Sequence, residues 1–230
     1  MDNTEGERQA HVAQLKERTA DLTSTLRERE VLLQEVHHRV KNNLTAIASL
    51  IEMQARRLPE GEGREALREC HGRVHAIALI HEKLYQSENY ADVPFADYIR
   101  GLADDVFQAT GISSPSAISL VLAVEEIVMT VDKAIPCGLI VNELITNAFK
   151  HAFPGGRRGT IRVELARTSG GRLRLVVADD GVGLPEGFTL QEPRSLGLRL
   201  IGTLSRQLDA SLTVNRGQGA SFELTLPAGA

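Results

Sequence analysis

Two adjacent histidines stand out first, in the stretch Glu35-Val36-His37-His38-Arg39-Val40-Lys41-Asn42-Asn43-Leu44. An imidazole can accept a phosphoryl group, bind a metal or move a proton, and its neighbours decide which. A helix turns about 100° per residue, so with Val40 at the centre of a buried stripe His37 lies about 60° off centre and His38 about 160° away. Asn42 is one turn beyond His38 and Glu35 one turn before it. That face offers an exposed ring, a carboxylate to polarise it and an amide for a later step, as a phosphoacceptor histidine requires. A plainer reading makes the pair simple surface residues. His71 and His75 sit at i and i+4, a zinc-compatible spacing, yet no third ligand lies in an obvious position. His81 falls on an apolar face and reads as a hydrogen-bonded interior residue.

The second constellation is Glu143-Leu144-Ile145-Thr146-Asn147-Ala148-Phe149-Lys150-His151. Spacings of four and three place Glu143, Asn147 and Lys150 on one helical face. Glu and Asn oxygens are hard ligands suited to Mg²⁺, and Lys150 adds a cation for a phosphate oxygen. His151 closes the run and is grouped with the nucleotide-contacting residues. Further on, Asp179-Asp180-Gly181-Val182-Gly183 follows a β-like run, and its glycines let the backbone turn tightly beside a ligand. Asp179 can accept a hydrogen bond from an exocyclic amine, which selects adenine over guanine. Ser195-Leu196-Gly197-Leu198 opens a helix whose free N–H groups suit phosphate.

Elements must bring these residues together. Residues 1–30 carry a thin heptad line, Val12, Leu15, Leu22 and Leu26, weakened by Thr19 and Arg29 at seam positions, and read as a coiled-coil signalling helix. It runs into a stronger stripe of Leu33, Val36, Val40, Leu44, Ile47 and Ile51, ended by Pro59, Gly61 and Gly63. A second amphipathic helix follows, with Leu67, Cys70, Val74, Ile77, His81 and Leu84 on one face. One apolar stripe per helix closes a core poorly alone, so the hairpin predicts a homodimer with a four-helix bundle. After residue 90 the pattern predicts a helix over 94–109, strands over 117–124 and 127–131, and a helix over 135–152. Strands over 160–167 and 172–178, a helix over 195–208 and a hairpin of 211–214 with 221–226 complete it. The fold class is α+β: a helical hairpin over 31–90, then an α/β sandwich over 91–230.

Hydrophobic residues make up 42% and charged residues 24%, as in ordinary globular proteins, and a net charge of −4 gives no general drive towards nucleic acid or membrane. Cys70 and Cys137 lack CxxC spacing and read as buried thiols in a reducing compartment. No apolar run approaches the roughly 18 residues of a membrane span, and no signal peptide opens the chain, so a cytoplasmic location is expected.

With these residues in view, the sequence resembles the sensor histidine kinases of two-component systems whose acceptor helix reads H-R-x-x-N, here His38-Arg39-Val40-Lys41-Asn42. Their ATP-binding domain has the Bergerat fold of gyrase B, Hsp90 and MutL. The likeness covers roughly residues 31–227 and includes the second helix, from His71-Gly72-Arg73-Val74-His75 to Leu84-Tyr85. It implies an ATP-dependent protein-histidine kinase with ATP and Mg²⁺ as cofactors. His38 is then the phosphorylated residue, Asn147 the Mg²⁺ ligand, Asp179 the adenine contact, and Gly181, Gly183 and Gly197 nucleotide-loop residues. Glu143 matches a metal ligand or catalytic acid. Three features depart from the larger pattern. Arg39 stands where many kinases have an acid, which makes Glu35 the substitute general base. Ser195 replaces a glycine and the lid is short. Without a single Trp, the chain cannot belong to the sister class with a W-x-E signature.

The expected partners are a response-regulator receiver domain, which takes the phosphoryl group on an aspartate, a second copy of the chain, and an upstream sensor. The domains swing about a hinge near residues 86–94, and Asn42 orients water for the reverse dephosphorylation. Two alternatives compete: a histidine phosphotransfer or scaffold protein with an inactive ATPase domain, and a serine/threonine kinase of the anti-sigma type. The first is opposed by the intact nucleotide residues, the second by the histidine-bearing hairpin.

Overall fold

The computed structural model describes residues 3–86, 92–109, 118–190 and 195–227. Helix α1 (Asn3–Arg57) is a single rod, because no Gly or Pro interrupts the sequence from Glu7 to Arg57. It ends just before Leu58-Pro59, and α2 (Glu62–Gln86) returns after Gly61, whose φ of 152° suits glycine. Glu62 and Glu65 in its first turn complement the helix dipole.

The face of α1 turned to α2 carries Val40, Leu44, Ala48, Ile51 and Ala55 at steps of four, four, three and four. Ala48 and Ala55 are buried there, and their small size lets the helices approach. The expected seam also held Val36 and Ile47. Both are exposed within one chain, with Leu50 and Met53, because α2 covers only one side of the rod. The side chains of Val12, Leu26, Leu33, His37 and Leu84 lie outside the described residues, as do residues 87–91 of the expected hinge and 191–194 of the lid.

Strand β1 (Asp92–Pro94) pairs with β3 (Val128–Thr130) in a small antiparallel ribbon. The main sheet runs β2 (Ile118–Val124), β4 (Gly159–Arg167), β5 (Arg172–Asp179), β7 (Gly219–Pro227), β6 (Ser211–Gly217). Only β2 and β4 are parallel; the other pairs are antiparallel. Helices α3 (Phe95–Ala109), α4 (Val131–His151) and α5 (Leu196–Gln207) cover one face, so the unit is a two-layer α/β sandwich. Alternate residues, Ile161, Val163 and Leu165 then Leu173, Leu175 and Val177, point into the core, each worth about 1.5–3 kcal/mol of burial. The opposite face carries a charged ladder in which Arg174 bridges Glu164 (3.4 Å) and Glu223 (2.9 Å).

Helix α4 starts four residues before the expected 135. Thr130 is extended (φ −67°, ψ 153°) and serves as its N-cap, so Pro136 falls inside the helix rather than at its start. The core does not stop at the hairpin. Tyr98 is fully buried, its hydroxyl donates to the Ala76 carbonyl of α2 at 3.1 Å, and its ring fills the space left by Gly138 on α4. Cys137 beneath it is fully buried, and burial pushes its thiol up to about 12, which leaves it inert.

Candidate active site

The residues singled out from the sequence fall into two sets that lie apart. On α1, His38 is exposed and its Nδ1 lies 3.3 Å from the Asn42 amide nitrogen. An amide offers both an N–H donor and an oxygen acceptor, so it can hold either tautomer of the ring. Glu35 accepts from Arg39 Nε at 2.7 Å, an exposed i,i+4 pair of small energetic weight. The Glu35–His38–Asn42 face expected from periodicity is therefore present, with Glu35 tied to Arg39.

The second set surrounds a cavity of about 610 Å³, a size typical of small-ligand sites. Its walls come from the C-terminal half of α4, the end of β5, the loop from Val182 to Thr189, and the start of α5. Asn147, His151, Asp179, Gly183, Ser195 and Leu198 all line it, among apolar groups including Leu144, Val177 and Phe222. Asp179 is preorganised: one carboxylate oxygen accepts from the N–H of Gly181 at 3.0 Å and of Ala220 at 3.3 Å. Ser195 caps α5 by accepting from the Leu198 N–H at 3.2 Å. Leu196 is mostly exposed and does not line the cavity, and Gly197 is buried against Glu143.

The glycines have reasons that motif reading alone did not supply. Gly181 lies against the Ala152 carbonyl, which accepts the Val182 N–H at 2.9 Å, so a side chain at 181 would strike the end of α4. Gly183 turns with φ 78° beside Gly219, and Gly219 (φ 115°) lies over the Asp179 carbonyl. In the sequence Gly219 is only a hairpin glycine. Its position against the Asp179 carbonyl is visible only in three dimensions.

Glu143 and Lys150 stay in one row with Asn147, yet they turn away from the cavity towards α2. Glu143 is 5% exposed, and Arg73 of α2 grips both its oxygens, at 2.7 and 2.9 Å. Lys150 lies 2.6 Å from both Glu65 and Glu69 of α2. Its hydrogen bond with Glu143 raises the Arg73 pKa, and that from Lys150 holds the Glu65 carboxyl below its usual value. Burial works against the Lys150 charge, but the two carboxylates outweigh it and its pKa rises. Arg73 was passed over in the sequence because nothing local distinguishes it from other surface arginines.

Hard oxygen donors suited to Mg²⁺ are thus present in Asn147 at the cavity wall and in Glu143 behind Arg73. No cluster of three or more His, Cys, Asp and Glu able to hold a metal occurs among the described residues. His71 and His75 stack at 6.0 Å, and His75 Nε2 meets Asp105 Oδ2 at 2.8 Å. Lys41 pairs with Glu82, and Lys150 with Glu69, which puts roughly 20 Å of α2 between the level of Lys41, next to the His38 turn, and that of the end of α4.

Fold and site define a nucleotide-binding ATPase unit carried on a histidine-bearing helical hairpin. Residues 35–110 match the family model described as "Histidine kinase", and residues 132–230 that of the "Histidine kinase-, DNA gyrase B-, and HSP90-like ATPase". Sensor histidine kinase PdtaS of Mycobacterium tuberculosis is 37% identical over 222 residues, which are 95% of this chain and 43% of the relative. Blue-light-activated histidine kinase 2 of Erythrobacter litoralis is 32% identical over 204 residues, 85% of this chain and 56% of that one. The histidine kinase domain from the Erythrobacter litoralis EL346 blue-light activated kinase superposes with TM-score 0.64 at 30% identity, covering 85% of this chain and 90% of that domain. The chain belongs to the sensor histidine kinase family, in its H-R-x-x-N subclass. It spans less than half the length of its mycobacterial relative. No described helix is long and apolar enough to cross a membrane.

Proposed function

We propose that this chain is the core of an ATP-dependent protein-histidine kinase that phosphorylates His38 and passes the phosphoryl group to a receiver-domain aspartate of a response regulator. One observation carries the reading. A single chain holds an ATP-sized cavity, with Asp179 fixed by two backbone N–H groups and Asn147 on the wall, and an exposed histidine with an amide at its Nδ1.

Asp179 accepts from the adenine amine, and the start of α5 faces the phosphates. A magnesium ion, held by Asn147 and by Glu143 once Arg73 lets go, would offset phosphate charge. In the tautomer with its proton on Nδ1, the His38 Nε2 carries the attacking lone pair. The Nε2–P bond forms as the bond from the γ-phosphorus to the β-bridging oxygen breaks. ADP leaves, and Glu35, parted from Arg39, accepts the Nδ1 proton. The work is positioning and electrostatics. Because the cavity and His38 are displaced along the hairpin, the ATP-binding unit must move between loading and transfer, about the segment near residues 86–94. The exposed row of Val36, Ile47, Leu50 and Met53 supports a homodimer whose four helices cover it. Asn42 orients water for dephosphorylation of the regulator.

The test is incubation with γ-labelled ATP and Mg²⁺. The parent and His37→Ala incorporate acid-labile, base-stable label, and His38→Ala incorporates none. Normal labelling of His38→Ala overturns the assignment.

A further inference from the structure

The charged face of α2 that meets α4 has a pattern the reaction does not explain. Opposite Glu143, to which the proposed function gives a cation near phosphate, stands the guanidinium of Arg73, with one bond to each carboxylate oxygen (2.7 and 2.9 Å). Opposite Lys150, which the sequence pattern offers to a phosphate oxygen, stand the carboxylates of Glu65 and Glu69, each at 2.6 Å. Glu69 also lies 3.5 Å from Arg73, so the hairpin presents anion, anion and cation in one linked row. The pair also reaches the helix start that faces the phosphates. The Glu143 carboxylate packs on Gly197, and a Cβ at Gly197 would lie 3.8 Å from the Arg73 guanidinium.

We propose that α2 carries a charge imitation of the magnesium–triphosphate unit: Arg73 stands where the metal's charge would act on Glu143, and Glu65 with Glu69 stand where phosphate oxygens would act on Lys150. Resting on the nucleotide reading given above, this makes the docked hairpin a competitor of its own substrate. A carboxylate with both oxygens held by a guanidinium is a poor metal ligand, and an ammonium held by two carboxylates is a poor phosphate ligand. Nucleotide loading and release of α2 from α4 are therefore one coupled equilibrium, and the loaded unit is freed to reach His38. Removing Arg73 leaves the buried Glu143 charge uncompensated, which further favours a bound cation.

Titration calorimetry with a non-hydrolysable ATP analogue tests this, using the full chain with Mg²⁺ and again with a chelator in place of Mg²⁺. Arg73→Gln should bind the magnesium complex about tenfold more tightly than the parent, and the gain should vanish without the metal. Glu65→Gln/Glu69→Gln, at partly exposed positions that tolerate substitution, should also bind more tightly, and its gain should survive removal of the metal because it acts on phosphate. A purely structural ion-pair row would give unchanged or weaker binding in both variants, and that result overturns the proposal. If neither parent nor variants bind the analogue, the nucleotide reading itself falls. If binding is present and depends on Asp179 but shows no gain, only the imitation falls.

Discussion

Along α1, Leu22, Val31, Leu32, Val36 and Leu50 are each more than half exposed, whereas Ile161, Val163 and Leu165 of β4 show no surface at all. The sheet unit closes its core within one chain, since three helices cover the apolar face and the other face is a charged ladder. The long helix finds cover on one side only, and from one partner helix. One region is finished by its own sequence. The other leaves an apolar row in the open, which the proposed homodimer would cover.

This contrast can be broken in order of expected size. Leu165→Ala should cost about 2–5 kcal/mol in urea denaturation, because it opens a cavity in a fully buried site. A loss below about 1 kcal/mol would show the sheet core to be looser than its burial implies. Asp179→Asn should weaken nucleotide binding about tenfold or more while leaving the urea midpoint near that of the parent, since a neutral amide is a poorer acceptor. Leu50→Lys on the exposed row should shift sedimentation towards monomer and leave nucleotide binding unchanged; a dimer that persists would place the contact on another face. The smallest effect concerns acid. Glu65 has a carboxyl pKa lowered from 4.5 by its hydrogen bond with Lys150, so its contribution is present above that value and lost as pH falls through the lower folded-state value. The fall in thermal midpoint below pH 4.5 should be slightly shallower in Glu65→Gln than in the parent.

Much of the site could be read from local pattern. Helical spacing alone separates the faces of His38 and His37, and it puts Asn42 one turn from the ring that it meets in the structure. The strand runs, the glycines around Asp179 and the serine that caps α5 are likewise short-range signals. Periodicity marks the apolar stripe without saying which neighbour covers it. Val36 and Ile47 fit the apolar stripe, yet one partner helix cannot cover both flanks of a rod. The helix expected over 135–152 begins at Val131, because Thr130 is extended and caps it without a side-chain hydrogen bond.

By itself, then, the order of residues determined most of the elements, the outward face that His38 takes on α1, and several of the side chains that wall the cavity, among them Asn147, His151 and Asp179, because each follows from repeats of two to seven residues. The folded chain decided the rest: that Arg73 closes on Glu143 seventy positions away, that Ala220 donates to Asp179 from forty-one positions away, and that Lys150 is held by the hairpin. Such contacts depend on how whole helices and strands pack, and on the burial that makes a charge seek its partner, neither of which any short stretch of sequence contains.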